Sequence, residues 1–191
     1  MGLTKPKRAG VIPYTIRDSK LYFLLGVDRA SRDLTDFGGG VKGTESAIDT
    51  AFRELMEETC ELFGNTINKD ELLNSPVITT RSGKMAIFFL YVDPNWLYHA
   101  EPIFRACQSR LYKIKKYNEM LGIKWVVDID FKIIAFNRYN QSMWKRVQNI
   151  LSFNTNWNEL RIRLFCGHEL CSTNVEQWHL VVPRSRLCKS N

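Results

Sequence analysis

Four of the five glutamates and an arginine in the segment 39–62, GGVKGTESAIDTAFRELMEETCEL, stand at intervals that suit metal and phosphate chemistry. Glu54, Glu57 and Glu58 are related by steps of three and four, so on a helix they share one face. Carboxylates held side by side repel one another unless a cation lies between them, and hard divalent ions such as Mg2+ or Mn2+ prefer all-oxygen settings of this kind. A bridging cation is what a diphosphate needs: it neutralises the oxygens that repel a nucleophile and lowers the pKa of an attacking water. The plainer alternative is a solvated acidic helix face. Against it stand the glycines before the helix, together with Arg53 and Glu45.

The order Gly39, five residues, Glu45, seven residues, Arg53-Glu54, the aliphatic Leu55, one residue and Glu57-Glu58 resembles the Nudix box, here spanning Gly39 to Glu61. The chain departs from that pattern at Cys60, where the box closes on glycine, at Glu61, where it has an aliphatic, and at Phe37, where proline is usual. No carboxylate is lost by these changes. The resemblance implies a Nudix fold, an α/β/α sandwich with a mixed sheet, and a pyrophosphohydrolase acting on acid anhydrides with Mg2+ or Mn2+. It implies Glu57 and Glu58 as metal ligands, Glu54 as a ligand or water-activating base, and Arg53 as the group that orients them. Glu45 follows as the structural partner of the arginine, and Gly38 and Gly39 as a phosphate-binding loop. Some members recruit a base outside the box. Glu119, in NEMLGIKWVVDID, is the candidate for that role, alongside Glu54, Glu58 and Arg53 in the catalytic set.

Several elements must position these groups. Two alternating stretches, Gly10 to Ile16 and Leu21 to Val27, flank a polar turn and read as an antiparallel hairpin. Ser46, with Asp49 three residues on, caps a helix expected to run to Leu62 or Phe63 and to use Gly64 as terminator. Its Ile48, Phe52 and Leu55 side should meet the sheet, leaving the glutamates to a cleft. Pro76 to Thr80 and Met85 to Val92 read as strands, the latter buried, as does Ile123 to Ile129. Phe104 to Tyr117 reads as a basic helix or a basic loop, and Asn140 to Leu151 as a last helix. The turn-prone run 152–158 suggests a boundary between a main domain, 9–152, and a basic C-terminal extension, 153–191. In that extension Arg161 to Cys166 and Trp178 to Val182 have β-like composition, as for a short hairpin packed on the domain.

With 191 residues and 45% hydrophobic content, the chain can bury an ordinary core. Five cysteines without framework spacing suit a reducing compartment, and the longest apolar run is far short of a membrane span, so a cytoplasmic protein without membrane partners is expected. The net charge of +7 favours phosphate-rich partners. That charge, the stretch carrying Arg110, Lys113, Lys115 and Lys116, and the basic extension lean toward capped RNA among nucleotide substrates. The compact size and the box without its closing glycine resemble the mRNA-decapping Nudix enzymes of large DNA viruses, which would place the protein in a host cytoplasm and make 7-methyl-GDP the product. The other readings are a small-molecule pyrophosphatase for nucleotides, dinucleoside polyphosphates or diphosphoinositol phosphates, and a non-catalytic RNA-binding module. Tyr14, Phe23, Trp96 and Trp125 are candidates for stacking a base.

Overall fold

The computed structural model describes residues 6–64 and 66–171. The chain begins with two long strands, β1 (Arg8–Arg17) and β2 (Lys20–Asp28). Asp18 and Ser19 between them both take positive φ, 50° and 58°, the turn whose twist matches a tight antiparallel hairpin. β3 (Leu34–Thr35) and β4 (Phe37–Gly40) follow, then helix α1 (Ala47–Glu58), the short α2 (Asp70–Leu73), β5 (Val77–Thr79) and β6 (Met85–Tyr91). Helix α3 (Trp96–Leu111) and a single 3-10 turn at Lys115–Tyr117 lead into β7 (Met120–Val127). Three helices close the described chain: α4 (Asp128–Phe136), α5 (Lys145–Asn154) and α6 (Trp157–Cys171).

The seven strands form one mixed sheet around β1, which pairs in parallel with β6 and antiparallel with β2 and β4. β6 is apolar at nearly every position because both its faces are covered. Ala86, Phe88, Leu90 and Val92 enter a core shared with α1, α2 and α3. Ile87 and Phe89 enter a second core with α4, α5 and α6. Helices on both faces of a mixed sheet make the α/β/α sandwich expected from the sequence.

Several elements differ from expectation. The box helix ends at Glu58, short of Leu62: the Glu61 N–H donates to the Met56 carbonyl at 2.7 Å and Cys60 N–H to Glu57 at 3.3 Å, so a Schellman closure is complete there. Cys60 and Glu61 adopt the left-handed conformation, φ 55° and 59°, that glycine normally supplies. Buried Cys60 is held by a bond from its Sγ to the Tyr117 carbonyl, 3.4 Å, while the Tyr117 hydroxyl donates to Glu61. The basic stretch divides between α3, which ends at Leu111, and the turns that follow it. The strand expected to reach Ile129 stops at Val127, and Asp128 opens α4.

The helix expected from Asn140 starts only at Lys145, because Ser142 O and Trp144 N are committed to Leu34 in a short bridge at the sheet edge, 2.8 Å each. Arg161 to Cys166, expected as a strand, lies inside α6. Leu160 and Leu164, one turn apart, are buried against the second core, and Asn156 Oδ1 caps the helix by accepting from the Glu159 N–H at 3.0 Å. The segment Trp178 to Val182 lies outside the described residues. Among the described residues no helix is long and apolar enough to cross a membrane.

Candidate active site

The site is built where α1 lies over β4 and the start of β1. Ser46 caps α1 through a reciprocal pair with Asp49: the Asp49 N–H donates to Ser46 Oγ at 3.1 Å and the Ser46 N–H to Asp49 Oδ2 at 3.2 Å. From this start, Thr50, Glu54 and Glu58 recur every fourth residue as a buried polar stripe beside the apolar stripe of Ala51 and Leu55. Ile48 and Phe52, expected to face the sheet, are only half-buried and pack at the edge of the core.

Glu54 and Glu58 are therefore not open to a wide cleft. They lie against glycines. Gly38 and Gly39, expected as a phosphate-binding loop, lie instead with Gly40 in an extended strand paired with Arg8–Gly10, and none of the three has positive φ. What they contribute is the missing Cβ. A Cβ on Gly39 would stand 2.3 Å from Glu54 Oε1, and one on Gly38 would stand 2.5 Å from the Gly10 Cα across the strand pair. Gly38 also donates its N–H to Glu58 Oε2 at 2.8 Å.

Arg53 uses all five of its donors. Nε and Nη2 reach the two oxygens of Glu45 at 2.8 and 3.1 Å, Nη2 also reaches Gly40 O at 3.0 Å, and Nη1 reaches Glu54 Oε1 at 2.6 Å and Glu57 Oε2 at 3.2 Å. Glu45 accepts two further bonds, from the Lys42 N–H and the Thr50 hydroxyl, at 3.0 and 2.9 Å. The Arg53 bond and then the Lys42 amide hold its carboxyl down at about 2. Arg53 thus spans Glu45, Glu54 and Glu57, and Glu57 also meets Lys42 at 3.6 Å on the outer side.

Glu58 has a different setting. Burial, reinforced by the charges of Asp36, Glu54 and Glu119, pushes its carboxyl well above the ordinary glutamate range, and the Gly38 bond opposes this only in part. Burial also raises Glu54, against the pull of Arg53. Glu119 itself is exposed, immediately before β7. Lys113, Lys115, Lys116 and Arg110 are exposed on the neighbouring turns and the end of α3. Lys116 carries a raised pKa through its bond to Tyr117, with smaller contributions from the charges of Glu57 and Glu61.

Two residues that sequence reasoning missed complete the floor. Arg8 Nη1 and Nη2 clasp Asp36 Oδ2 and Oδ1 at 2.8 and 2.5 Å, and Nη2 also donates to Gly38 O at 3.1 Å. The pair is buried. The Gly10 Cα faces it so closely that a Cβ would meet Asp36 Oδ2 at 2.1 Å. A pair this distant in sequence has no local signature. Of the aromatics put forward for base stacking, Tyr14 and Phe23 are fully buried in the second core, so they cannot stack on a ligand. Trp96 and Trp125 are half-buried, joined by a bond from Trp125 Nε1 to Trp96 O at 3.1 Å.

The donor chemistry suits a hard cation. Among the described residues Glu54 Oε2 and Glu58 Oε1 take no hydrogen bond from the protein, so a buried pair of carboxylates keeps free oxygens. With Arg53 drawing Glu57 and one oxygen of Glu54 to its own side, no three acidic, histidine or cysteine side chains among the described residues close on one point.

Gly39→Ala tests this packing directly. The atom it would strike is the end of a flexible side chain, so the fold should survive while Glu54 is displaced. Thermal melting should change by a few degrees at most, whereas the diphosphate hydrolysis expected from the sequence should fall by about 10²-fold, the scale of a mispositioned catalytic group. Loss of folding would mean that β4 and α1 have no room to adjust.

The chain matches no family model and no curated protein sequence. Among solved structures it is similar to a C. elegans Ap4A hydrolase binary complex, with a TM-score of 0.48 and 16% identity over 84% of this chain and 99% of that chain. It is also similar to a MutT/nudix family protein from Listeria innocua, with a TM-score of 0.43 and 16% identity over 89% and 99% of the two chains. A third is the NUDIX domain of Shewanella oneidensis NrtR complexed with ADP ribose, with a TM-score of 0.42 and 14% identity over 84% and 89%.

Proposed function

We propose that this protein is a Nudix-type, divalent-metal-dependent pyrophosphohydrolase that cleaves a nucleoside-diphosphate-linked substrate. The observation that carries the reading is the buried Glu54–Glu58 stripe laid against the glycines of β4 and oriented by a fully engaged Arg53. Glu54 and Glu58 would hold Mg2+ or Mn2+, with Glu57 at the rim. Such an ion, when bound, supplies charge neutralisation for the diphosphate and an acidified water.

The protein's own groups do the rest. Arg53 keeps one oxygen of Glu54 turned aside and so fixes where the other points. Gly38 fixes one oxygen of Glu58 and leaves Oε1 free. The glycine strand lets the helix approach closely and excludes water beneath the carboxylates. Glu119, whose charge is felt at Glu58, is the candidate to accept the proton of the attacking water.

Within this reaction the substrate we favour is the 5' cap of RNA, with release of 7-methyl-GDP. The support is the run of exposed cations, Arg110, Lys113, Lys115 and Lys116, bordering the carboxylates through Lys116. The experiment is incubation with Mn2+ or Mg2+ and a panel of cap-labelled RNA, free cap analogue, dinucleoside polyphosphates and nucleoside triphosphates, with product identification. Release of 7-methyl-GDP from RNA but not from the free analogue selects decapping; turnover of the small molecules alone selects a nucleotide pyrophosphatase. No turnover of any of them removes the enzymatic reading and leaves a binding module.

Replacing Lys113, Lys115 and Lys116 together by alanine should weaken RNA binding and flatten its salt dependence by about three units of log–log slope, while hydrolysis of small substrates changes little. Equal losses on both substrates would place these lysines at the scissile phosphates instead.

A further inference from the structure

The loop 137–144 between α4 and α5 is braced far more heavily than its exposure requires. Gln148, fully buried, shares the two hydrogens of Nε2 among three carbonyls, Ile134, Asn137 and Asn140, at 2.9, 3.0 and 3.0 Å, and its Oε1 accepts from Lys145 Nζ at 2.8 Å. Asn137 and Asn140 fold the loop on itself by accepting from the Tyr139 and Ser142 N–H groups at 3.1 and 2.7 Å. Its end is stitched to Leu34. A buried amide with every bond satisfied specifies one conformation.

What this rigid loop presents is an aromatic ring packed on nothing: Tyr139 is 93% exposed. Beside it lies a cleft of about 500 Å³ whose lining includes Asp33, Arg138, Tyr139, Asn140 and Gln141. The Arg138 guanidinium carbon lies 3.9 Å from the centre of the Phe153 ring and gives the cleft a second planar group. The Asp33 carboxylate takes no hydrogen bond or ion pair among the described residues and is a vacant acceptor at the cleft wall.

Planar groups, amides and a free carboxylate around a small cleft are the elements of nucleobase recognition. The carboxylate selects the base. Guanine offers adjacent N1–H and N2–H donors to a pair of carboxylate oxygens, whereas the corresponding edge of adenine offers an acceptor, N1, that a carboxylate repels. The location also fits. Asp33 lies three residues before Asp36, about 10 Å along an extended chain, and Trp144 at the loop's end lies 5.2 Å from the Arg8 guanidinium that clasps Asp36.

We propose that the cleft between Asp33 and the 137–144 loop is a nucleobase subsite that takes the guanine of the substrate. This rests on the pyrophosphohydrolase reading for its role, and its test is a binding measurement made without turnover. The full-length protein is titrated with GMP and with AMP, followed by calorimetry and by tyrosine fluorescence. GMP should bind at least about tenfold more tightly, the scale of one paired contact to a base edge. Asp33→Asn should abolish that preference, and Tyr139→Ala should weaken both nucleotides by about tenfold. Gln148→Leu should weaken GMP through the loop, with the loss accompanied by faster amide exchange at 137–144. Equal affinity for GMP and AMP, or native GMP binding by the Asp33 and Tyr139 variants, overturns the subsite. Because Tyr139 packs on nothing, Tyr139→Ala should melt as the native protein does, so its result does not depend on a folding defect. GMP binding that responds to these variants in a protein without hydrolytic activity would keep the subsite and remove the enzymatic reading.

Discussion

Glu58→Gln should abolish most of the hydrolysis we propose while making the metal-free protein more stable. The native side chain is 5% exposed, and burial with three neighbouring acids holds its proton well above the ordinary range. The folded state therefore binds that proton more tightly than the unfolded chain. Stability from this group is fully present below the ordinary glutamate range and is lost as pH rises through the raised value of the folded state. Glutamine keeps the size and can still accept from the Gly38 N–H, but it has no charge to desolvate. Its melting temperature should exceed that of the native protein at pH 8, and the difference should vanish near pH 4.

Turnover should fall by at least ~10²-fold, in keeping with loss of one anionic oxygen from a charge-stabilising site. Addition of Mg2+ should raise the native melting temperature more at pH 8 than at pH 5, and should shift the variant little. Parallel scans at these pH values, with and without the ion, check all three statements. Near-native turnover by the variant with saturating metal would falsify the assignment of the chemistry to this helix.

The second large effect is expected from Arg8→Ala. The substitution leaves Asp36, fully buried, next to Glu58 with no cation to answer either charge. Breaking one side of such a pair costs about 3–5 kcal/mol, a large fraction of the stability of a domain this size. Urea unfolding should show the midpoint falling with an unchanged slope. Pairing it with Asp36→Asn is informative: the double variant should recover part of the loss, because the stranded charge is gone. If Arg8→Ala melts like the native protein, the clasp is not closed in solution.

Much of this arrangement was legible in the sequence, for identifiable reasons. The β1–β2 hairpin showed itself through alternation and a polar turn, and the start of α1 through Ser46 and Asp49. Its end was misjudged because the rule that a left-handed cap calls for glycine does not foresee Cys60 held in place by Tyr117, a tertiary contact. The strand β4 was invisible, since a run of glycines carries no side-chain period. The Arg8–Asp36 clasp joins residues that only the β1–β4 pairing brings together. In the run Arg161 to Cys166 polar and apolar residues alternate, yet Trp157, Leu160 and Leu164 also follow the helical period; packing on Phe23 and Phe131 decided for the helix.

The place of β1 in the sheet has a consequence for how the molecule is made. Its hairpin with β2 can close as soon as both have left the ribosome, but its parallel partner β6 arrives only after the box helix and β5 have been synthesised. Parallel pairing across so long an interval is slow, since the loop must be closed before the contacts repay it. Until β6 docks, β1 has one free edge, and the floor of Arg8, Gly10 and Gly38 beneath the carboxylates rests on an unfinished sheet. In refolding, hairpin signals should therefore appear first, and the burial of Glu58 should be among the last events, lagging far behind the helix that carries it.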